Sequence, residues 1–414
     1  MVSLNTAPVP GSVAADLTKD GRLRVTDLGL DLIAAGLTSE EAAACAGIVD
    51  LTRESPAVSM PTFTQADDGW RSLTDQAGAL REELTDVRED GPVGDASMLP
   101  NPAEDYTEVA ATVTADVQAL APVVSEQVRR TMEATDPMLD DDVAAWFSED
   151  CPLPRLALLG PVTASAHGTL MPAIAKRKPY FVELLAYLAL HPEGKTGNAV
   201  ADAFSIGSSR ARTDLGHLRD WLGTNPRTGR LHLPLAAASR TYEQTGVKTY
   251  QVEDVLVDVD LFRRLRARGE ARGIDGIADL LTALRLVEGL PFDHLRERGW
   301  SWLLDGDRLH ETIGCSIVDT AHIVVLDALS KGDLATARNA AETACRAAPY
   351  DDICRLDLVR VAATEGHDNA ADQMLTDDVF NRTDDHLPPI DLPERTGEVV
   401  ETQGWGSARR TGSH

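Results

Sequence analysis

The sequence predicts a mainly α-helical chain with a small β component, preceded by a largely disordered acidic region. Three observations carry that prediction: apolar residues at helical spacing, turn chemistry bracketing a short β-rich stretch, and charge partitioned along the chain. The net charge is −27 over 414 residues. Residues 151–250 nevertheless hold 12 Lys+Arg against 6 Asp+Glu, while residues 1–150 hold 9 against 29 and residues 251–414 hold 18 against 31. A polyanion is repelled by phosphates as a whole, so a local basic stretch points to a local anionic partner. An apolar share of 43% with 5% aromatics suits helical domains joined by solvated segments. The 5 cysteines (Cys45, Cys151, Cys315, Cys345, Cys354) form no C-x-x-C pair, so reduced, mostly buried thiols are expected. Apolar runs such as residues 184–190 and 323–326 are short for a bilayer, and no signal pattern opens the chain. A cytoplasmic protein is expected.

Residues 1–51 read as a small β/α element. Leu23, Val25 and Leu28 give a strand over residues 21–28, and Thr38-Ser39-Glu40-Glu41 opens a helix with hydroxyl caps and acids at its positive end. Residues 52–105 mix Pro, Gly, Ser and acids with sparse hydrophobics, an acidic disordered linker with a short helix near residues 77–87. Its charge would let it fold back on the basic stretch. Residues 106–150 are a helical connector; Val109, Val113, Val117 and Leu120 place a helix over residues 104–132.

Residues 151–254 change texture. Two strand-like runs, 156–160 and 162–166, flank Gly160-Pro161. A helix over residues 179–191 starts with Pro179 at the favoured first position and stops at Pro192-Glu193-Gly194. A shorter helix follows Thr196 as cap, and Ser205-Ile206-Gly207 turns the chain into a third helix, Ser208–Leu222. There Ala211, Leu215, Leu218 and Leu222 form one narrow apolar stripe. Projection at 100° per residue sets Ser209, Thr213 and Asp220 opposite it, Arg210 and His217 on one flank, and Arg212 and Arg219 on the other. Residues 230–233 and 248–252 then make a hairpin carrying Arg227, Arg230 and Lys248. Three helices and a basic hairpin are the parts of a winged helix-turn-helix. Arginines on a short exposed helix suit a major groove, with the hairpin cations on backbone phosphate. Asp214 and Asp220 offset two of that helix's three arginines, so a solvated surface or a protein-contact scaffold is the competing reading.

Residues 255–380 show helical spacing over 261–271, 277–287 and around 300–320. Gly332 and Gly366 lie 34 apart, as do Ala337 and Ala371, and the first copy continues with Ala344 and Pro349. That period is tetratricopeptide-like, with small residues where paired helices cross. The tail from Asp377, and residues 381–414 with it, is expected to be disordered. No phosphate loop, dinucleotide fingerprint, nucleophile elbow or H-E-x-x-H occurs. His310-Glu311-Thr312 lacks a second ligand, and Asp140-Asp141-Asp142 lacks calcium-loop spacing. An enzyme, a metal site and a cofactor are therefore not expected.

Several motifs share a resemblance. They are Leu159-Gly160-Pro161-Val162, Glu183-Leu184-Leu185-Ala186-Tyr187-Leu188-Ala189-Leu190-His191-Pro192 and Leu218-Arg219-Asp220-Trp221-Leu222-Gly223-Thr224. Farther on come Ala283-Leu284-Arg285-Leu286-Val287-Glu288-Gly289-Leu290-Pro291-Phe292, Trp300-Ser301-Trp302 and Gly332-Asp333. With them, residues 155–375 resemble the winged helix plus bacterial transcriptional activator domain of actinobacterial antibiotic regulatory proteins. The closer likeness is to large multidomain relatives that also carry peptidoglycan-binding LysM modules. Residues 21–51 are similar to the end of the ATPase-like region preceding that pair. The resemblance implies a transcriptional regulator that binds double-stranded DNA and uses its tetratricopeptide-like domain for dimerisation, a protein partner or signal relay. Ser209, Arg210, Arg212, Thr213 and His217 would face bases or phosphates, and Arg219, Arg227, Arg230 and Lys248 the backbone. Phe204-Ser205-Ile206 and Asp220 depart from the family pattern.

Overall fold

Met1–Gln65 and Ala66–His414 form two units. The structure, a computed structural model, describes residues 16–17, 22–25, 30–33, 69–81, 84–86, 123–304 and 308–380. Among them the chain is mainly helical with small sheets, as its periodicities predict.

In the first unit β1 (Asp16–Leu17), β2 (Arg22–Val25) and β3 (Leu30–Ile33) make an antiparallel meander with β2 central. Leu17 pairs with Leu23 and Val25 with Leu30. The strand expected over residues 21–28 is present as β2. The helix expected at Thr38 lies outside the described residues.

The second unit begins with a segment the sequence reads as linker, and here the structure corrects that reading. Residues 69–81 form a folded strap: a 3-10 turn (Gly69–Leu73), then a loop closed by a Thr74–Leu80 bridge. Asp75 shapes the loop by accepting from the amides of Ala77 (2.8 Å) and Ala79 (2.9 Å). No helix forms over the described part of residues 77–87; Thr85–Asp86 (β4) pairs instead with Val123–Val124 (β5). Helix α1 (Glu126–Thr135) starts after Ser125, whose hydroxyl caps Val128 N, and takes in the last residues of the helix expected over 104–132; residues 104–122 lie outside the described residues. Trp70 and Leu80 pack with Met132 of α1 and with Ala267 and Ala271 of α8 (Asp258–Arg272). Leu80 N donates to Glu270 Oε2 at 2.6 Å, and Glu270 also pairs with buried Arg266 at 2.9 Å. A side chain at Gly78 (φ 83) would put Cβ 2.6 Å from Arg263 Cα, so the loop reaches α8 only with glycine there. The strap therefore lies against α8. Two large apolar side chains in a polar stretch were too few to show as a periodic pattern.

After α2 (Leu139–Phe147) the chain forms a small sheet in the order β7 (Thr163–Ser165), β6 (Arg155–Ala157), β8 (Leu256–Val257). The β6–β7 pair is antiparallel and β6–β8 parallel. Then come α3 (Pro172–Lys176), α4 (Lys178–Ala189), α5 (Gly197–Ala203) and α6 (Ser208–Leu222). Every residue of α4 from Phe181 to Ala189 is buried, which makes it the central helix of the unit.

The expected hairpin is rebuilt. Residues 230–233 do not pair along 248–252; Thr224 bridges Leu231, and Tyr250 bridges Lys195. His232 bonds instead to Glu253, just past the second run, Glu253 N donating to His232 O at 2.8 Å. A capped helix, α7 (Arg240–Thr245), with Ser239 at its start and left-handed Gly246 at its end, separates them. Alternation marks a strand and leaves its partner undetermined.

Beyond α8 lie α9 (Ile277–Leu284), α10 (Leu309–Ser330), α11 (Leu334–Ala347), α12 (Asp352–Thr364) and α13 (Asp368–Met374). Gly332 (φ 72) follows α10 and Gly366 (φ 80) follows α12. Ala337, Ala344 and Ala371 are all buried. The tail expected to be disordered from Asp377 is instead a π-helical turn, Leu375–Phe380, with Val379 buried; residues 381–414 lie outside the described residues. Helix α10 is long and apolar enough to cross a membrane by length and composition, but 72% of its apolar window is buried inside the protein. Cys151 and Cys354 are buried, Cys345 is half-buried and Cys315 exposed.

A continuous apolar core runs from Leu156, Phe181 and Leu215 to Phe262, Ile317 and Val324, so the basic module and the helical bundle share one interior. Glu183, 2% exposed, joins them. It accepts from Trp300 N (2.6 Å), Trp302 Nε1 (3.3 Å) and Arg296 Nε (2.6 Å).

Candidate nucleic-acid interface

The helix expected to read DNA forms with the bounds Ser208–Leu222. Ala211, Leu215, Leu218 and Leu222 are all buried, so the opposite face points outward. Ser209, Arg210, Arg212 and Thr213 are exposed on that face. Its first turn carries no acid, and Gly207 opens it. Free amides and the helix dipole there favour an anion. Thr213 Oγ1 donates back to Ser209 O at 3.1 Å.

Asp214 is the residue whose place most changes the electrostatics. It is 3% exposed. Arg177 grips it with two bonds of 3.1 Å each, and the Tyr180 hydroxyl donates to it at 2.9 Å. The Arg177 guanidinium also lies 4.3 Å from the Tyr180 ring centroid and 5.2 Å from that of Phe181. Burial opposes the charge on Asp214, but the bonds from Arg177 and Tyr180 outweigh it and hold the carboxyl below its ordinary range. Its bond to Asp214 likewise raises the Arg177 guanidinium. The acid is thus spent inside the fold. Arg210, 59% exposed, approaches it at 3.6 Å, while Arg212 has no ion-pair partner among the described residues.

The other nominated residues divide. Arg219 is half-buried; its Nε donates to Leu233 O (2.7 Å) and its Nη2 to Pro234 O (3.2 Å), which ties the segment just after the Thr224–Leu231 hairpin to the helix. His217 is half-buried against Phe181, ring centroids 6.3 Å apart, with Nδ1 shut from solvent and unbonded. Arg227 and Arg230 are exposed on a tight hairpin between Thr224 and Leu231. Asn225 builds that turn: its Oδ1 accepts from Arg227 N (2.8 Å), and Gly229 N returns to Asn225 O (2.8 Å). Lys248 is exposed beyond α7, outside this hairpin, and Asp220 is exposed on the last turn of α6. Among the described residues no group of His, Cys, Asp or Glu could hold a metal ion.

Sequence reasoning missed Arg177 and Tyr180 as partners of Asp214. The one available signal was the angular position of Asp214 beside the apolar stripe, where a carboxylate needs a buried cation. It also missed Gly168. Gly168 N donates to Trp221 O (2.9 Å) and Thr169 N to Asp220 O (2.8 Å), which clamps the end of α6. A Cβ at Gly168 would sit 2.2 Å from Asp220 O and 2.5 Å from Trp221 O. Gly168→Ala should therefore cost about 2 kcal/mol and lower the thermal midpoint by several degrees. A variant melting with the parent would show that the loop yields freely.

In comparisons with known proteins, no family model matches the chain and no curated protein is similar to it.

Proposed function

We propose that this chain is a DNA-binding transcriptional regulator. Its winged helix-turn-helix lays α6 in a major groove, and its tetratricopeptide-like bundle mediates dimerisation or signal relay, as the resemblance to activator-domain regulators implies. The observation that carries the reading is the inward turn of Asp214 onto Arg177 and Tyr180, which leaves Arg210, Arg212, Ser209 and Thr213 outward on α6. Arg210 and Arg212 contact guanine edges or phosphate; Arg227 and Arg230 contact phosphate from the hairpin. Lys248 adds charge nearby. Arg219 acts through the fold, holding the segment just after the hairpin against α6.

The test is selection of bound fragments from randomised DNA at two salt concentrations. Log affinity should fall linearly with log salt, and the Arg210→Ala, Arg212→Ala double variant should lose about two phosphate contacts' worth of slope. Equal slopes in parent and variant would remove α6 from the interface.

A scaffold that grips a protein partner is the second reading, favoured by exposed Asp220 on α6 and by the commitment of Arg219 to backbone carbonyls. It predicts partner binding insensitive to salt and no bound DNA fragments.

A further inference from the structure

A cleft of about 450 Å³ opens beside the Thr224–Leu231 hairpin, where the segment leading to β8 meets α8. That size suits a small-molecule ligand. Trp70, Met138, Leu153, Val255 and Leu261 give it apolar walls. Most of its charges are satisfied by the protein itself. Arg71 pairs with Asp260 (2.8 Å), Arg264 with Asp136 and Asp142 (2.7 Å each), and Asp254 accepts from Asn225 Nδ2 (2.6 Å).

Glu253 is different. It lines the cleft at 8% exposure, and its carboxylate has no hydrogen-bond donor or ion-pair partner among the described residues. The His232 ring, 3.0 Å from Glu253 O, engages only the backbone. A largely buried carboxylate with no donor costs free energy that a cationic donor meeting its exposed edge restores. Arg227 and Arg240 also line the cleft, are exposed, and have no carboxylate partner among the described residues. Guanidinium groups select a carboxylate by their planar fork. The cleft thus offers one unpaired carboxylate and two unpaired guanidinium cations against apolar walls.

We propose that this cleft binds a small zwitterion of the amino-acid or dipeptide class. Its ammonium donates to Glu253, its carboxylate meets Arg227 and Arg240, and its side chain packs on the apolar wall. Glu253 enters only as the acceptor, so binding needs no covalent step. The site does not rest on the DNA reading, and its assay contains no DNA. If both hold, ligand and DNA compete for Arg227, which gives the chain an effector.

The test is calorimetric titration of the full chain with a panel of free amino acids and dipeptides, and with acetate and methylammonium as half-ligands. At least one zwitterion should saturate a single site. Glu253→Gln should weaken it about tenfold or more, and so should Arg240→Ala, an exposed position where folding is not at stake. The proposal is overturned if no zwitterion binds. It is also overturned if both variants bind as the parent does, or if acetate alone binds as tightly as the zwitterion, which would make this a plain anion site.

Discussion

Replacing Glu183 by alanine should destabilise the chain by roughly 3–5 kcal/mol, the range for removing one member of a buried ionic network. The carboxylate is 2% exposed and serves three donors: Trp300 N, Trp302 Nε1 and the Arg296 guanidinium. Arg296 can turn to water, but the buried Trp300 amide cannot. The loop it holds is strained: Phe292, His294, Arg298 and Trp300 all have positive φ, from 56° to 63°. Left-handed non-glycine residues cost on the order of 1 kcal/mol each and persist only where their surroundings impose them. Trp302 in turn meets Tyr187 edge-on at 5.1 Å, so losing Glu183 loosens the packing between α4 and the helical bundle. Glu183→Gln keeps an acceptor and should cost about 1–2 kcal/mol. Urea unfolding followed by tryptophan fluorescence measures both. An alanine variant within about 1 kcal/mol of the parent would show that Glu183 does not hold the two halves together.

The second large effect is at Asp258, fully buried at the start of α8. Its carboxylate receives the amides of Leu158, Leu159 and Val259, each at 2.8 Å. Asp258→Ala orphans these donors and should cost about 3 kcal/mol. Burial raises the carboxyl to about 7 although the three amides pull the other way. The folded chain then keeps a proton that the unfolded chain releases at about 4. Stability from this group is therefore complete at low pH and declines as pH rises from about 4 to about 7. The parent should melt at a higher temperature near pH 5 than near pH 8, and Asp258→Asn should lose that part of the difference. If parent and Asp258→Asn show the same pH dependence, Asp258 does not titrate in this window. Asp214 works in the opposite sense: its lowered carboxyl contributes stability that disappears only as pH falls below the ordinary carboxylate range.

How much of this was legible depended on whether a signal was local. The bounds of α6 could be read because its apolar stripe has helical period and Gly223 (φ 75) stops it. Thr196 could be read as a cap because capping needs only a hydroxyl and an amide three residues on, and Thr196 does accept from Ala199 N. Gly332 and Gly366 were legible as a 34-residue period but read as small residues at helix crossings, whereas both follow helix ends with positive φ, where a left-handed residue favours glycine. The strap could not, since Trp70 and Leu80 acquire meaning only from Met132, Ala267 and Ala271, far away in sequence. The hairpin failed for a related reason: alternation tells which side chains share a face and nothing about which strand lies alongside.

By itself the sequence determined a mainly helical chain, the position of its basic island and the outward face of α6, because periodicity and turn chemistry act between neighbouring residues. Tertiary structure decided how the charges are spent. Arg177 takes Asp214, Arg219 takes two carbonyls, Glu183 joins the halves, and Glu253 is left lining a cleft without a donor. An ion pair depends on distance and burial, which close only when remote segments pack, so residue type alone cannot say which charges remain free for a partner.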